Sequence, residues 1–232
     1  MCGRYSISTP ATKLAERFKI DVPEGYSSRY NASPTQILPV ITNEHPQGLS
    51  FFYWGVVPAF AKNKTVTAKL YNVRAETILE KTSSLKALQS RRCLVPADGF
   101  FDWKHVSKKR KVPYRFVVKQ PEIFSFAGLW EEYEDEEEGM VHTFTIITTP
   151  SNSITSEMNT SMPAILTPEN EKKWLSNELK EEQLIGLLTP FSADLMNSYT
   201  ISSLINNPDL DKPELLKPAP PSDQFGNYTL FS

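Results

Sequence analysis

The chain has 232 residues, a net charge of −2, 40% hydrophobic and 11% aromatic residues, a balance that excludes a disordered or fibrous protein and one that is basic throughout. Its amino terminus carries Arg4, Lys13, Glu16, Arg17 and Lys19, so it lacks the apolar segment of a signal peptide, and no run approaches the length of a membrane span. Only Cys2 and Cys93 are available as thiols, and His45, His105 and His142 share no ligand-like spacing with either, so no metal site and a cytoplasmic location are expected.

Thr9-Pro10 reads as an N-cap and first helical residue, with Leu14, Ala15 and Phe18 at helical spacing, which predicts a helix over 10–19. Residues 37–42 and 51–54 predict two strands joined by a turn at Pro46 to Gly48. Ile78, Leu79, Leu85 and Leu88 predict a helix over 75–89, stopping before Arg91-Arg92, whose guanidinium groups suit the last helical carbonyls. Residues 93–96, 100–103, 114–118, 123–130 and 143–149 are short, aromatic or β-branched and bounded by turn signals, the pattern of an antiparallel sheet or closed barrel. Residues 131–138 hold seven of the twenty-seven acids and read as a solvated loop closed by Gly139, leaving twenty acids against twenty-five bases elsewhere. Lys108 to Lys111 reads as a hairpin tip. Thr167-Pro168-Glu169 predicts another helix through Trp174 and Leu175, and a short one follows over 180–188. From Asn206 onward, prolines 208, 213, 218, 220 and 221 predict an irregular, draped tail over 206–232. The expectation is one α+β domain over 1–232, with a curved antiparallel sheet or barrel-like core and short peripheral helices.

The first chemically suggestive stretch is Met1-Cys2-Gly3-Arg4-Tyr5. Loss of Met1 leaves one residue carrying both an α-amine and a thiol. With an aldehyde the amine forms an imine, the thiolate adds to the same carbon, and a five-membered thiazolidine closes. An α-amine titrates near pH 8 and a thiol near 8.5, so both nucleophiles are partly available at neutral pH without an activating base. Taken alone, Cys2 equally suits a small buried residue at the start of a strand.

Four further stretches are richer in polar and aromatic groups than core strands need: Trp54-Gly-Val-Val-Pro58, Tyr71-Asn72-Val73-Arg74-Ala-Glu-Thr77, Arg91-Arg-Cys-Leu-Val-Pro-Ala-Asp98-Gly-Phe-Phe-Asp102-Trp103, and Met162-Pro163-Ala-Ile-Leu166. In this order, with Met-Cys-Gly-Arg-Tyr before them and Ala127-Gly-Leu-Trp-Glu131 between, they closely resemble the SRAP family of abasic-site processing proteins, from Cys2 through Asn206-Asn207-Pro208. The resemblance implies a single SRAP domain acting as a monomer on single-stranded DNA that carries abasic sites. It also implies removal of Met1 by self-processing and covalent attachment of Cys2 to the abasic aldehyde. Residue by residue, Cys2 matches the crosslinking nucleophile and Asn72 the asparagine holding the sugar. Arg4 and Arg74 match basic residues of the DNA groove, Trp54 and Pro58 its aromatic wall, and Met162 and Pro163 its Met-Pro segment; Arg91 and Arg92 are weaker groove candidates, with helix capping as the alternative.

Three positions depart from the family pattern: Asp102 stands where glutamate is usual, Asn159 where histidine is, and Ser161 where arginine precedes the Met-Pro. Asp102 is one methylene shorter, and a misplacement of about an ångström can cost roughly a hundredfold in rate. The Asn159 amide orients a substrate but carries no proton, and a positioned acid–base group typically contributes about 10²–10⁴-fold. Asp102 and Asn159 join Cys2 and Asn72 as candidate catalytic residues. Two competing readings follow: a DNA-binding domain with weakened chemistry, and an N-terminal-cysteine hydrolase acting on other substrates.

Overall fold

A computed structural model describes residues 3–55, 71–107, 110–135 and 139–221. The strands, in chain order, are β1 (Tyr5–Ile7), β2 (Arg29–Ala32), β3 (Ile37–Thr42), β4 (Ser50–Trp54), β5 (Asn72–Arg74), β6 (Arg92–Ala97), β7 (Gly99–His105), β8 (Lys111–Val118), β9 (Phe124–Asp135), β10 (Gly139–Pro150), β11 (Ser161–Pro163), β12 (Ile165–Leu166) and β13 (Met196–Thr200). The α-helices are α1 (Ala11–Phe18), α2 (Thr82–Ser90), α3 (Pro168–Leu175) and α4 (Glu181–Gly186).

Five strands form one antiparallel sheet in the order β13-β8-β7-β1-β2. In the other sheet β10 pairs with both β4 and β9, so the path β10-β4-β3-β6-β9 returns to β10 and closes a five-stranded barrel. Closure removes the free edges that an open sheet would present. The ladders are antiparallel except where β10 runs parallel to β4 and β5.

Alternation along the strands sorts the apolar residues into separate cores. Cys93, Val95 and Ala97 face an inner core with Tyr5, Trp54, Phe100, Phe126 and Phe144, while Leu94, Leu129 and Ile147 face outward under Leu88 of α2, Trp174 of α3 and Leu184 of α4. Phe101, Ile201, Ile205 and Leu215 make a third cluster on the far face of the five-stranded sheet. The α+β class, the barrel and the peripheral helices agree with expectation. Among the described residues no helix is long and apolar enough to cross a membrane.

Several elements differ from the sequence reading. The helix over 75–89 splits into a 3-10 turn at Ala75–Thr77 and α2, because Lys81 is extended and the Thr82-Ser83-Ser84 cluster favours a fresh start over continuation. Thr9 does not cap α1; its hydroxyl reaches Asp98 at 3.2 Å, and the helix starts after an extended Pro10. Thr167 behaves as predicted, accepting from the Asn170 N–H at 3.3 Å with Pro168 at the first helical position. The acidic stretch is no loop over residues 131–135: it continues β9 opposite 139–143 of β10, and Glu132 meets Arg91 at 2.7 Å and His142 at 3.6 Å. The tail is irregular and mostly exposed as expected, apart from a 3-10 turn at Pro213–Leu216, and is pinned by the buried Leu215 and by the bridge from Ile201 to Pro218. Residues 108–109, 136–138 and 222–232 lie outside the described part.

Candidate active site

Asp102 sits in the middle of β7, on the face that also carries the buried Phe100. Its Oδ1 accepts the Trp103 N–H at 2.8 Å, and Asn159 is a second hydrogen-bonding partner. Burial pushes the carboxyl above the usual aspartate range, while the Trp103 N–H, Asn159 and the charge of His105 act in the opposite direction. It therefore holds its proton to higher pH than a surface aspartate. His105 lines the same cleft of about 460 Å³, with Asp102, Trp103, Lys111 and Asn206. Strand alternation puts His105 on the opposite face of β7 from Asp102. His142 is remote from this group, stacked on Phe52 at 4.9 Å.

β1 brings the start of the chain to this strand. Tyr5 is in register with Phe100, and the Phe101 N–H donates to the Arg4 carbonyl at 3.0 Å, so the next residue toward the terminus comes level with Asp102. A Cβ built on Gly3 would lie 3.7 Å from the Tyr71 hydroxyl. Tyr71 precedes Asn72, the first residue of β5. The chain leading to the terminus thus runs between Asp102 on one side and Tyr71-Asn72 on the other.

β5 is held by β10: Asn72 is in register with Ile146 and Arg74 with Thr148, while Val73 faces outward into the helix-covered core. Asn72 therefore faces the inner core and Arg74, on the same side, is exposed. Gly55 makes room for this arrangement. Its φ of +85° strains any larger residue, and a Cβ there would lie 3.1 Å from the Tyr71 side chain, tighter than an ordinary contact. β11 extends the sheet, since Thr148 of β10 is also in register with Pro163. The loop before β11 is fixed locally: the Asn159 carbonyl accepts from Ser151 Oγ at 2.6 Å and its Oδ1 from the Thr160 N–H at 2.9 Å. That leaves the amide NH₂ as the group available to Asp102.

The SOS response associated peptidase (SRAP) family model matches residues 1–208. The chain is 41% identical over 222 residues to the abasic site processing protein YoqW of Bacillus subtilis (94% of this chain, 99% of YoqW), and 40% identical over 215 residues to YobE of the same organism (90% and 98%). A crystal structure of a protein from Bacteroides thetaiotaomicron superposes with a TM-score of 0.82 at 31% identity, covering 94% of this chain and 100% of that one. The chain belongs to the SRAP family.

Measured against the SRAP expectations, Asp102 and Asn159 lie together beside the strand leading to the terminus, Asn72 follows Tyr71 and lines a separate cleft of about 210 Å³ with Lys81, Ser83 and Ser84, and Cys2 and Pro58 lie outside the described residues. Arg74 is exposed beside Asn72. Trp54, expected at the DNA wall, is instead wholly buried, edge-on to Tyr5 at 5.1 Å and bonded through Nε1 to the Tyr71 carbonyl at 2.9 Å, so it has no face for a base. Met162 and Pro163 are likewise buried, Met162 in the inner core and accepting a Thr155 hydroxyl at Sδ; they anchor the loop carrying Asn159 and present no surface to DNA. Adjacency in the SRAP motifs signalled proximity to the site but not exposure. Arg4 is turned inward: its Nη1 donates to Asn31 Oδ1 at 2.6 Å and to the Ile205 carbonyl at 3.3 Å. Sequence reasoning passed over Asn31, whose partners lie 174 or more residues away except for Arg4. Asp98, in the same motif as Asp102, serves the fold: it accepts Ser6, Ser8 and Thr9 and pairs with Arg115 at 3.1 Å beside a separate cavity of about 590 Å³.

Proposed function

We propose that this SRAP chain processes abasic sites in single-stranded DNA through its own amino terminus, acting in the cytoplasm as a monomer. Removal of Met1, by the chain itself as in the family, frees the amine and thiol of Cys2. The amine condenses with the ring-opened aldehyde and one water leaves; the thiol then adds across the resulting C=N bond, its proton passing to nitrogen, and a thiazolidine links protein to DNA. Asp102 takes a proton from the terminal ammonium and returns it to the departing hydroxyl. Burial raises its pKa, the direction that helps it hold and hand on a proton. Asn72 holds the sugar by hydrogen bonds, and Arg74 takes an adjacent phosphate. Asn159 orients Asp102 but exchanges no proton, so opening of the sugar and reversal of the link are slow.

The observation that supports this reading most strongly is the path of the chain toward its terminus, between the Asp102 strand and Tyr71-Asn72. To test it, the purified protein is incubated with single-stranded DNA containing one abasic site and run on a denaturing gel. A shifted band that requires Cys2 is expected; no band from intact protein would sink the reading.

The second reading is a DNA-binding SRAP domain with decayed chemistry, favoured by Asp102, Asn159 and Ser161 in place of the usual glutamate, histidine and arginine. DNA binding that weakens with salt yet is indifferent to Cys2→Ala and to the aldehyde would select it.

A further inference from the structure

Asn31 is 1% exposed on β2, an edge strand of the five-stranded sheet, and every polar atom of its side chain is used. Oδ1 accepts Arg4 Nη1 at 2.6 Å, and Nδ2 donates to the carbonyls of Ile205, Asn207 and Leu210 at 3.3, 2.9 and 2.9 Å. The segment 205–211 returns the contact. Asp211 accepts the N–H groups of Tyr30 and Asn31 at 2.5 and 3.0 Å and meets Arg29 at 3.3 Å, which caps the otherwise unpaired edge of β2. Asn206 Oδ1 accepts the Trp103 indole N–H at 2.8 Å, next to Asp102 and on the wall of the same cleft. One buried amide thus ties the residue two positions after Cys2 to a strap that also grips the residue after Asp102.

We infer that Asn31 is a positioning residue for the SRAP reaction: through Arg4 and the 205–211 strap it fixes the reactive terminus relative to Asp102. This rests on the crosslinking reading above. The physical basis is that β1 spans only Tyr5–Ile7, so three residues of ladder do not by themselves hold a chain end to within an ångström. Errors of that size cost on the order of a hundredfold in rate. Every polar atom of the side chain is bonded to Arg4 or to the 205–211 strap and none is left for DNA, so its effect appears in the rate of bond formation and not in DNA affinity.

The experiment compares wild type, Asn31→Ala and Asn31→Asp as full chains under single-turnover conditions with single-stranded DNA carrying one abasic site. Asn31→Ala removes both ties and is expected to lower the maximal crosslinking rate about ten- to a hundredfold, with the half-saturating DNA concentration changed less than about twofold. Asn31→Asp retains the acceptor for Arg4 but loses the donors to the strap, and is expected to recover part of that rate. Asn206→Leu, which releases only the Trp103 contact, covers the case in which the alanine variant does not fold; a smaller loss in the same rate is expected. A wild-type chain that forms no crosslink defeats the underlying reading and this inference with it. A wild-type chain that crosslinks, beside folded variants with its rate or with a loss confined to DNA affinity, overturns this inference alone.

Discussion

Arg92 and Asp102 are ten residues apart in one continuous motif, and both are charged groups withdrawn from water, yet the chain treats them in opposite ways. Arg92 is 1% exposed and all five of its N–H donors are bonded: Nε to the Trp174 carbonyl, Nη1 to those of Leu88 and Gln89, Nη2 to the Ser176 carbonyl and Asn177 Oδ1, at 2.7–2.9 Å. Its charge lies at the carboxyl ends of α2 and α3, where the helix dipoles favour a cation. Asp102 has an N–H and an amide as partners, and burial raises its pKa. A buried charge bonded in full is a fastener. One bonded in part, with its protonation free to change, is suited to chemistry.

The contrast breaks most sharply at Asp102. Asp102→Asn is expected to lower the crosslinking rate by about 10²–10⁴-fold, read on denaturing gels, while leaving the fold intact. Arg92→Met should do the reverse, leaving the buried Leu88 and Trp174 carbonyls without their partner and costing about 1–3 kcal/mol for each in denaturant unfolding, with the rate per folded molecule unchanged. Asn159→His sharpens the comparison by giving Asp102 a neighbour that carries protons. The rate should rise about tenfold and acquire a pH dependence near the histidine pKa of about 6.5, followed in a pH series; unchanged rates would show that the missing imidazole does not limit this protein.

The smallest effect concerns stability. Because the folded chain raises the Asp102 pKa, it binds that proton more tightly than the unfolded chain does. The stabilisation is therefore complete below the unfolded pKa and is lost as pH rises through the folded one. At neutral pH Asp102→Asn removes the cost of the buried anion, so its unfolding midpoint should lie above wild type, a gap that closes as pH falls through the Asp102 pKa toward the unfolded aspartate value of about 3.9. A calorimetric series at three pH values decides this.

Features set by local chemistry were legible in the sequence. The Thr167-Pro168 start of α3, the barrel strands and the capping use of Arg92 follow from neighbouring residues and periodicity. What was not legible depends on partners far along the chain. The acids after Trp130 form a strand because β10 pairs with them and Arg91 offsets part of their charge. Trp54 and Met162 belong to motifs that surround the site, but motif membership carries no information about which face a side chain occupies. Asn31 resembles any polar residue in a short strand until residues 205–210 fold over it. The anchoring of the irregular tail was hidden for the same reason, since it comes from Asp211 on β2 and Leu215 in the third core.

The central claim is that the amino terminus itself is the nucleophile. Intact mass spectrometry of the protein after reaction with abasic single-stranded DNA, under denaturing conditions, tests it directly. The account predicts a species equal to the chain lacking Met1 plus the oligonucleotide, less one water, which disappears with Cys2→Ala. A chain that keeps Met1, or a covalent adduct that survives Cys2→Ala, would contradict it.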